Sequence, residues 1–422
     1  MKDYLDLYQP HRTRSTKPSS RQAARGWCPD LSLRSARPPK LLVPHPARRC
    51  GKDPVIASQQ PTSGARAKRG TVVVLVVSFL VLGLVAFGLG RLLGGSDSSS
   101  PNQPGPSSST HEFFTDPHGS DKDEGTADKP FRTIEQGLEA LRPGDTLTIG
   151  DGTYHERLKH LEISPGTADD PITVRAAPGA SPVLKGLLWL PDASYWHLSG
   201  LDVTWDDDNG KHDHMVKFQG GTGWSMTDAE VWGSRSQAAI LVTDNSSKWR
   251  LAHLFVHSTH DTGGNNQDQL IYVSSTSGGG LIERCLLTDS PNGRGVKIGP
   301  PDARSSRIGD VVIRYNTFYD NMGPSNIQLS RNSSGNQIYR NIFMKPGDDE
   351  ANVTAYELEG SDNSIHDNIY VNSTPSIADH DSGLDVGDGN LQRDPRFVSP
   401  EKDDFHPQDP VSERYGAYAG QG

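Results

Sequence analysis

Cysteine is close to absent from this chain of 422 residues. Cys28 and Cys50 lie before a long apolar run, and Cys285 stands alone after it. No internal disulfide can close in the C-terminal part, and no Cys/His set has the spacing of a zinc site. Burial and backbone pairing must hold that part together. Long apolar windows are scarce too, which argues against a helical bundle, whose amphipathic helices need them. A basic excess is also missing. The formal net charge is −10, a balance that disfavours nucleic acid as a partner.

One long uncharged stretch is present. Residues 71–90 read TVVVLVVSFLVLGLVAFGLG. Such a run covers roughly the 30 Å hydrocarbon layer as a helix. Arg66, Lys68 and Arg69 precede it, which predicts a cytoplasmic N-terminus and an exported C-terminus. No clear small-x-small cleavage site closes the run, so the reading is an anchor rather than a signal peptide. The expected organisation is a disordered basic cytoplasmic tail over 1–70, a transmembrane anchor over 71–91, and a Ser/Pro/Gly linker over 92–111. The working domain is then 112–422, on the outer side of the plasma membrane.

That domain is repetitive. Apolar segments begin at Met226, Leu251, Ile282, Ile313, Ile338 and Ile365, at intervals of 25, 31, 31, 25 and 27 residues. A second set, around Val216, Ile240, Ile271, Val296, Ile327 and Ala355, alternates with the first. Each repeat therefore holds at least two short strands of period two, separated by Gly/Asn/Asp/Ser turns. One repeat cannot bury its apolar face, but coils stacked about 4.8 Å apart can. The predicted fold is an all-β, right-handed parallel β-helix, the usual hand of parallel crossovers. Asn316, Asn341 and Asn368 each stand three residues past an aligned isoleucine, as a stacked turn ladder would require. Phe131, Ile134, Leu138 and Leu141 have helical spacing and predict a short N-terminal capping helix.

Residues 117–156 (PHGSDKDEGTADKPFRTIEQGLEALRPGDTLTIGDGTYHE) resemble the opening segment of secreted pectate-lyase-like β-helix proteins, and the region from Asp394 to His406 resembles their closing segment. The final tail, DPVSERYGAYAG, departs from the usual ending. The resemblance implies the β-helix fold and a function on carbohydrate. Many such proteins are polysaccharide lyases, some are hydrolases or epimerases, and lysine as base is shared by several lyase families.

The second strand set defines an outward column: Lys217, Leu241, Tyr272, Lys297, Gln328 and Glu357. Val296 and Ile298 point inward, so Lys297 points out. Arg294 lies just upstream, Asp268 leads the Tyr272 strand, and His257, His260 and Asp261 precede it. β-Elimination from a uronate needs a base for the proton beside the carboxylate and a cation for the charge that develops. Arginine and partial burial lower a lysine pKa from about 10.4. Lys297 is thus the candidate base, Arg294 the neutralising cation, and Tyr272 or His260 the acid. Lys217, Arg331, Asp268, Gln328 and Glu357 complete a substrate-binding strip, with the cations making it attractive to an acidic glycan.

Two other constellations compete. Asp289 and Asp320 each stand seven residues past an aligned isoleucine, so they stack on adjacent rungs, as a glycosidase pair or as two turn residues. Asp206, Asp207 and Asp208, with Asp213, are a weak candidate for calcium, without EF-hand-like spacing. Trp196, Trp205, Trp224, Trp232 and Trp249 either stack on sugars or pack in the coil. The sequence thus predicts a polysaccharide lyase acting on an acidic cell-envelope or other glycan. A glycoside hydrolase using the aspartate pair and a non-catalytic glycan-binding surface protein are the alternatives.

Overall fold

The computed structural model describes residues 110–420 apart from 211–212, 261–267, 302–306, 347–350, 372–375 and 380–382. The expected tail, anchor and most of the linker, 1–109, lie outside the described residues, as does Asp261. Among the described residues no helix is long and apolar enough to cross a membrane.

The described part is an all-β parallel solenoid. The first repeat set forms an eleven-stranded sheet. In it Met226, Leu251, Ile282, Ile313, Ile338, Ile365 and Val386 pair rung to rung, all parallel. A sixteen-stranded sheet supplies the other two faces. They join through the long strand Val183–Pro191, whose first half pairs with Asp202–Thr204 and whose second half pairs with Val216–Gln219. The chain turns this corner at Gly186, where a Cβ would sit 1.8 Å from the Glu156 carbonyl oxygen. Glycine is required there by steric approach.

Alternation buries one column per face. Leu251, Ile282, Ile313 and Ile338 are fully buried on the first face, and Val256, Leu287, Phe318 and Phe343 on the second. Trp224 stacks between Phe218, at 3.8 Å between ring centroids, and Trp249, at 5.7 Å. With Trp196 these rings fill the coil interior. With Trp205, four of the five tryptophans are core, so they offer no face to a sugar.

Polar groups inside the coil are satisfied by ladders. Asn316, Asn341 and Asn368 are fully buried. Asn316 Nδ2 donates to Asn341 Oδ1 at 3.0 Å, Asn341 Nδ2 to Asn368 Oδ1 at 3.0 Å, and Asn368 Nδ2 to Asn390 Oδ1 at 3.0 Å. Each also donates to a carbonyl on the rung before it, Ile282, Ile313 or Ile338. The residue before each asparagine takes a left-handed backbone: Tyr315, Arg340 and Asp367 have φ of 55°, 59° and 52°.

The helix Ile134–Ala140 plugs the N-terminal end and buries Ile134, Leu138 and Leu141 with Phe131. Thr133 Oγ1 accepts from Gln136 N, and the Glu156 carboxylate accepts from Ile134 N and Glu135 N. The atypical C-terminal tail also packs. Tyr415 sits on Ile342 and Ile369, and the Ala419 carbonyl accepts from Arg284.

One register differs from expectation. Gln328 pairs with Thr354, not Glu357. Val353 is the buried residue of that rung, whereas Leu358, on which the sequence alignment rests, lies beyond the end of strand Val353–Tyr356. Glu357 has left the strand at φ 48° and reaches Arg331 instead.

Candidate functional site

The register aligns Lys217, Leu241, Tyr272, Lys297 and Gln328 in one column, with Thr354 in the place expected of Glu357. Rung to rung it reads Trp189, Lys217, Leu241, Tyr272, Lys297, Gln328 and Thr354. Val296 and Ile298 are fully buried on either side of Lys297, so its side chain leaves the coil. Lys297 Nζ sits 4.8 Å over the Tyr272 ring. Partial burial, then the charges of Arg294 and Arg331, pull the Lys297 ammonium down to about 8. Burial pushes the Tyr272 phenol up to about 12, opposed by the Arg331 charge.

The two arginines differ. Arg294 is only 5% exposed, with its Nε donating to Ser325 Oγ at 3.3 Å. Its charge therefore acts on Lys297 from beneath the surface rather than on a glycan in solvent. The tight turn before it depends on Gly293, where a Cβ would lie 2.0 Å from the Asp268 carbonyl oxygen. The Arg331 side chain is 25% exposed and faces Glu357 Oε2 at 3.5 Å. Its guanidinium also donates to the Pro300 and Pro301 carbonyls. Arg331 is the cation of this group that reaches the surface.

Other predicted members sit apart. Asp268 is fully buried, and its carbonyl accepts from Thr259 and Ser290. Gln328 is 8% exposed. His260 is exposed on the loop leading to 261–267 and its backbone N–H donates to Ser234. Trp189 escaped the sequence reading, although its alternation with buried Leu188 and Leu190 marks it as outward. Lys159 and Lys217 each place Nζ 4.7 Å from its ring centroid.

Asp289 and Asp320 occupy a different face. They lie between the paired residues Thr288 and Tyr319 and the paired Ser290 and Asn321. Both have left-handed backbone, φ 55° and 54°, and Ser258 Oγ donates to Asp289 at 2.8 Å. With Tyr319, Glu401, Asp403 and Phe405 they line a cavity of about 320 Å³. The structure therefore keeps the aspartate pair apart from the lysine column.

The Asp206 to Asp208 run is not a shared site. Asp206 meets His155 Nδ1 at 3.2 Å, Asp207 meets Arg235 at 3.1 Å, and Asp213 is held by Lys159 at 2.6 Å and Arg157 at 3.2 Å. Among the described residues no group of three or more His, Cys, Asp or Glu is placed to hold a metal ion.

No family model matches the chain. It is 42% identical over 76 residues to the uncharacterized protein YwoF of Bacillus subtilis, covering 18% of this chain and 15% of that one. It is 26% identical over 112 residues to pectate lyase PEL9 of Emericella nidulans, covering 22% of this chain and 27% of that one. The chain thus matches well under a third of the length of either relative. Among solved structures it superposes on pectate lyase Pel9A with a TM-score of 0.44 and 13% identity, over 70% of this chain and 84% of that one. A mannuronic acid-specific family 6 polysaccharide lyase from human gut microbiota gives a TM-score of 0.44 and 19% identity, over 64% and 66%. By architecture the chain is similar to pectate-lyase-like parallel β-helix proteins, and what it shares with them is the fold.

Proposed function

We propose that the protein is a carbohydrate-active enzyme that cleaves an acidic polysaccharide by β-elimination, with Lys297 as base. One observation carries the reading: an outward lysine on the Tyr272 ring, with its ammonium drawn down to about 8 by burial and by Arg294 and Arg331. A base of that strength is half neutral near pH 8, close to the range in which proton transfer is efficient. Lys297 takes the proton beside the uronate carboxylate. Arg331 meets the charge that accumulates on that carboxylate. Tyr272, whose phenol stays protonated, donates to the leaving glycosidic oxygen. Arg294 acts through Lys297 as a positioning residue. With 71–90 as an anchor, this face works outside the cell.

The test is direct. Elimination leaves a conjugated double bond that absorbs in the ultraviolet. Uronate glycans incubated with the full chain, with calcium and with chelator, should gain that absorbance, and Lys297→Ala should lose it by at least about a hundredfold, the scale of general base catalysis. Absorbance that survives Lys297→Ala sinks the assignment.

A second reading has its own observation, the cavity that gathers Asp289 and Asp320 with Glu401 and Asp403. It supports glycoside hydrolysis, which releases reducing ends without the absorbance. Glycan affinity with neither product would instead mark a binding protein.

A further inference from the structure

The column is not uniform along its length. Toward the N-terminus from Lys297 come Tyr272, Leu241, Lys217 and Trp189. Toward the C-terminus come Gln328 and Thr354, bordered by Glu357. The next rung, marked by the bridge between Val353 and Ala378, brings in exposed Asp379. On the N-terminal side the column therefore carries Lys217 with Lys159 beside it, and on the C-terminal side it carries Glu357, already paired with Arg331 beyond the Gln328 strand, and then Asp379.

The same device occurs twice. An aromatic ring on one rung carries the ammonium of a lysine on the next: Tyr272 under Lys297 at 4.8 Å, and Trp189 under Lys217 at 4.7 Å. A cation over a ring is held in place without being neutralised. At Lys297 two arginines are added, and the ammonium weakens. At Lys217 the ring is shared with Lys159, whose charge is balanced by Asp213 at 2.6 Å. Lys217 has no ion pair among the described residues. Three rung spacings, about 14 Å, separate Lys217 from Lys297. A pyranose ring in an extended chain repeats at close to one rung, so a sugar carboxylate reaches Lys217 only when the chain continues for three rings past the cleaved one.

We infer that Lys217, fixed on Trp189, is a distal carboxylate-binding subsite, and that an acidic polysaccharide lies asymmetrically on this face, extended from Lys297 toward Lys217 and away from Glu357 and Asp379. This rests on the reading of Lys297 as base. It adds that the substrate class is a linear uronate polymer of at least four rings, held far from the scissile bond. Binding energy from such a remote group is available to orient the reacting ring.

The experiment measures affinity and ultraviolet product for oligogalacturonates and oligomannuronates, as trimers and as heptamers, on the full chain and on Lys217→Ala and Lys217→Arg. The expected result is tighter binding of a heptamer than of the matching trimer. Lys217→Ala should weaken the heptamer by roughly tenfold, the scale of one charge-assisted contact, and leave the trimer unchanged. Lys217→Arg should keep most of the heptamer affinity, because the charge remains. Equal affinity for both lengths, or an equal loss on both in Lys217→Ala, overturns the subsite. The two readings fail separately: length-dependent binding without absorbance removes the lyase assignment and keeps the subsite, while absorbance without length dependence does the reverse.

Discussion

A lysine held over a tyrosine ring between two arginines is protonated at a cost in folding free energy. The Lys297 ammonium is drawn down from 10.5 to about 8 in the folded protein. Between those values the unfolded chain binds the extra proton, so stability rises with pH across that window and the penalty is complete below it. Lys297→Met should therefore stabilise the protein by about 3 kcal/mol near pH 7, with the gain fading as pH rises toward 10.5. Denaturant midpoints at neutral and alkaline pH check it, and a gain independent of pH would refute it. Activity has the matching sign. The rate should climb through pH 8, and Arg331→Ala, by removing a positive neighbour, should move that limb to higher pH. The outward aim of Lys297 was legible because period two is strict inside a strand. The burial of Asp268 and Arg294 was not, since both precede their strands at a corner, where alternation gives no direction.

Turns between strands carry the asparagine ladder, and there the sequence is informative only while the corner has constant length. Asn316, Asn341 and Asn368 share one offset and were visible. Asn390 stands four residues past Val386 rather than three, after the extra turn around Gly389, and so escaped alignment although it continues the ladder. The neighbouring pair Asn336 and Asn363, 2.7 Å apart, precedes its strands and went unread for a similar reason. Asn341 is bonded on both sides of its rung, its side chain accepting from Asn316 N and donating to Ile313 O, Tyr339 O and Asn368 Oδ1. Asn341→Ala leaves several buried partners unpaired, which costs about 3 kcal/mol. The exposed Gln337, at the start of strand Gln337–Tyr339, should lose less than about 0.5 kcal/mol on change to alanine. Thermal or denaturant unfolding of the two variants compares them directly, and equal losses would mean the ladder contributes little.

In a solenoid each coil leans only on its neighbours, so damage at one end stays local. The C-terminal hairpin, strands Phe397–Ser399 and Asp404–Pro407, is locked by Arg393 and Asp409 at 2.6 and 2.5 Å, and Asp409 also accepts from Ser412 Oγ at 2.7 Å. This segment supplies Glu401, Asp403 and Phe405 to the aspartate cavity and no residue to the paired Lys297 column. Asp409→Ala should therefore free 393–420 from hydrogen-exchange protection while the rungs from Ile240 to Ile298 keep theirs. The same variant separates the two chemistries at molecular scale. If Lys297 is the base, ultraviolet product persists when the hairpin is loosened. If Asp289 and Asp320 do the cleavage inside the cavity, reducing-end release collapses, because Glu401, Asp403 and Phe405 no longer line it. A loss of ultraviolet product in Asp409→Ala, with the central rungs still protected, would show that the column does not act alone.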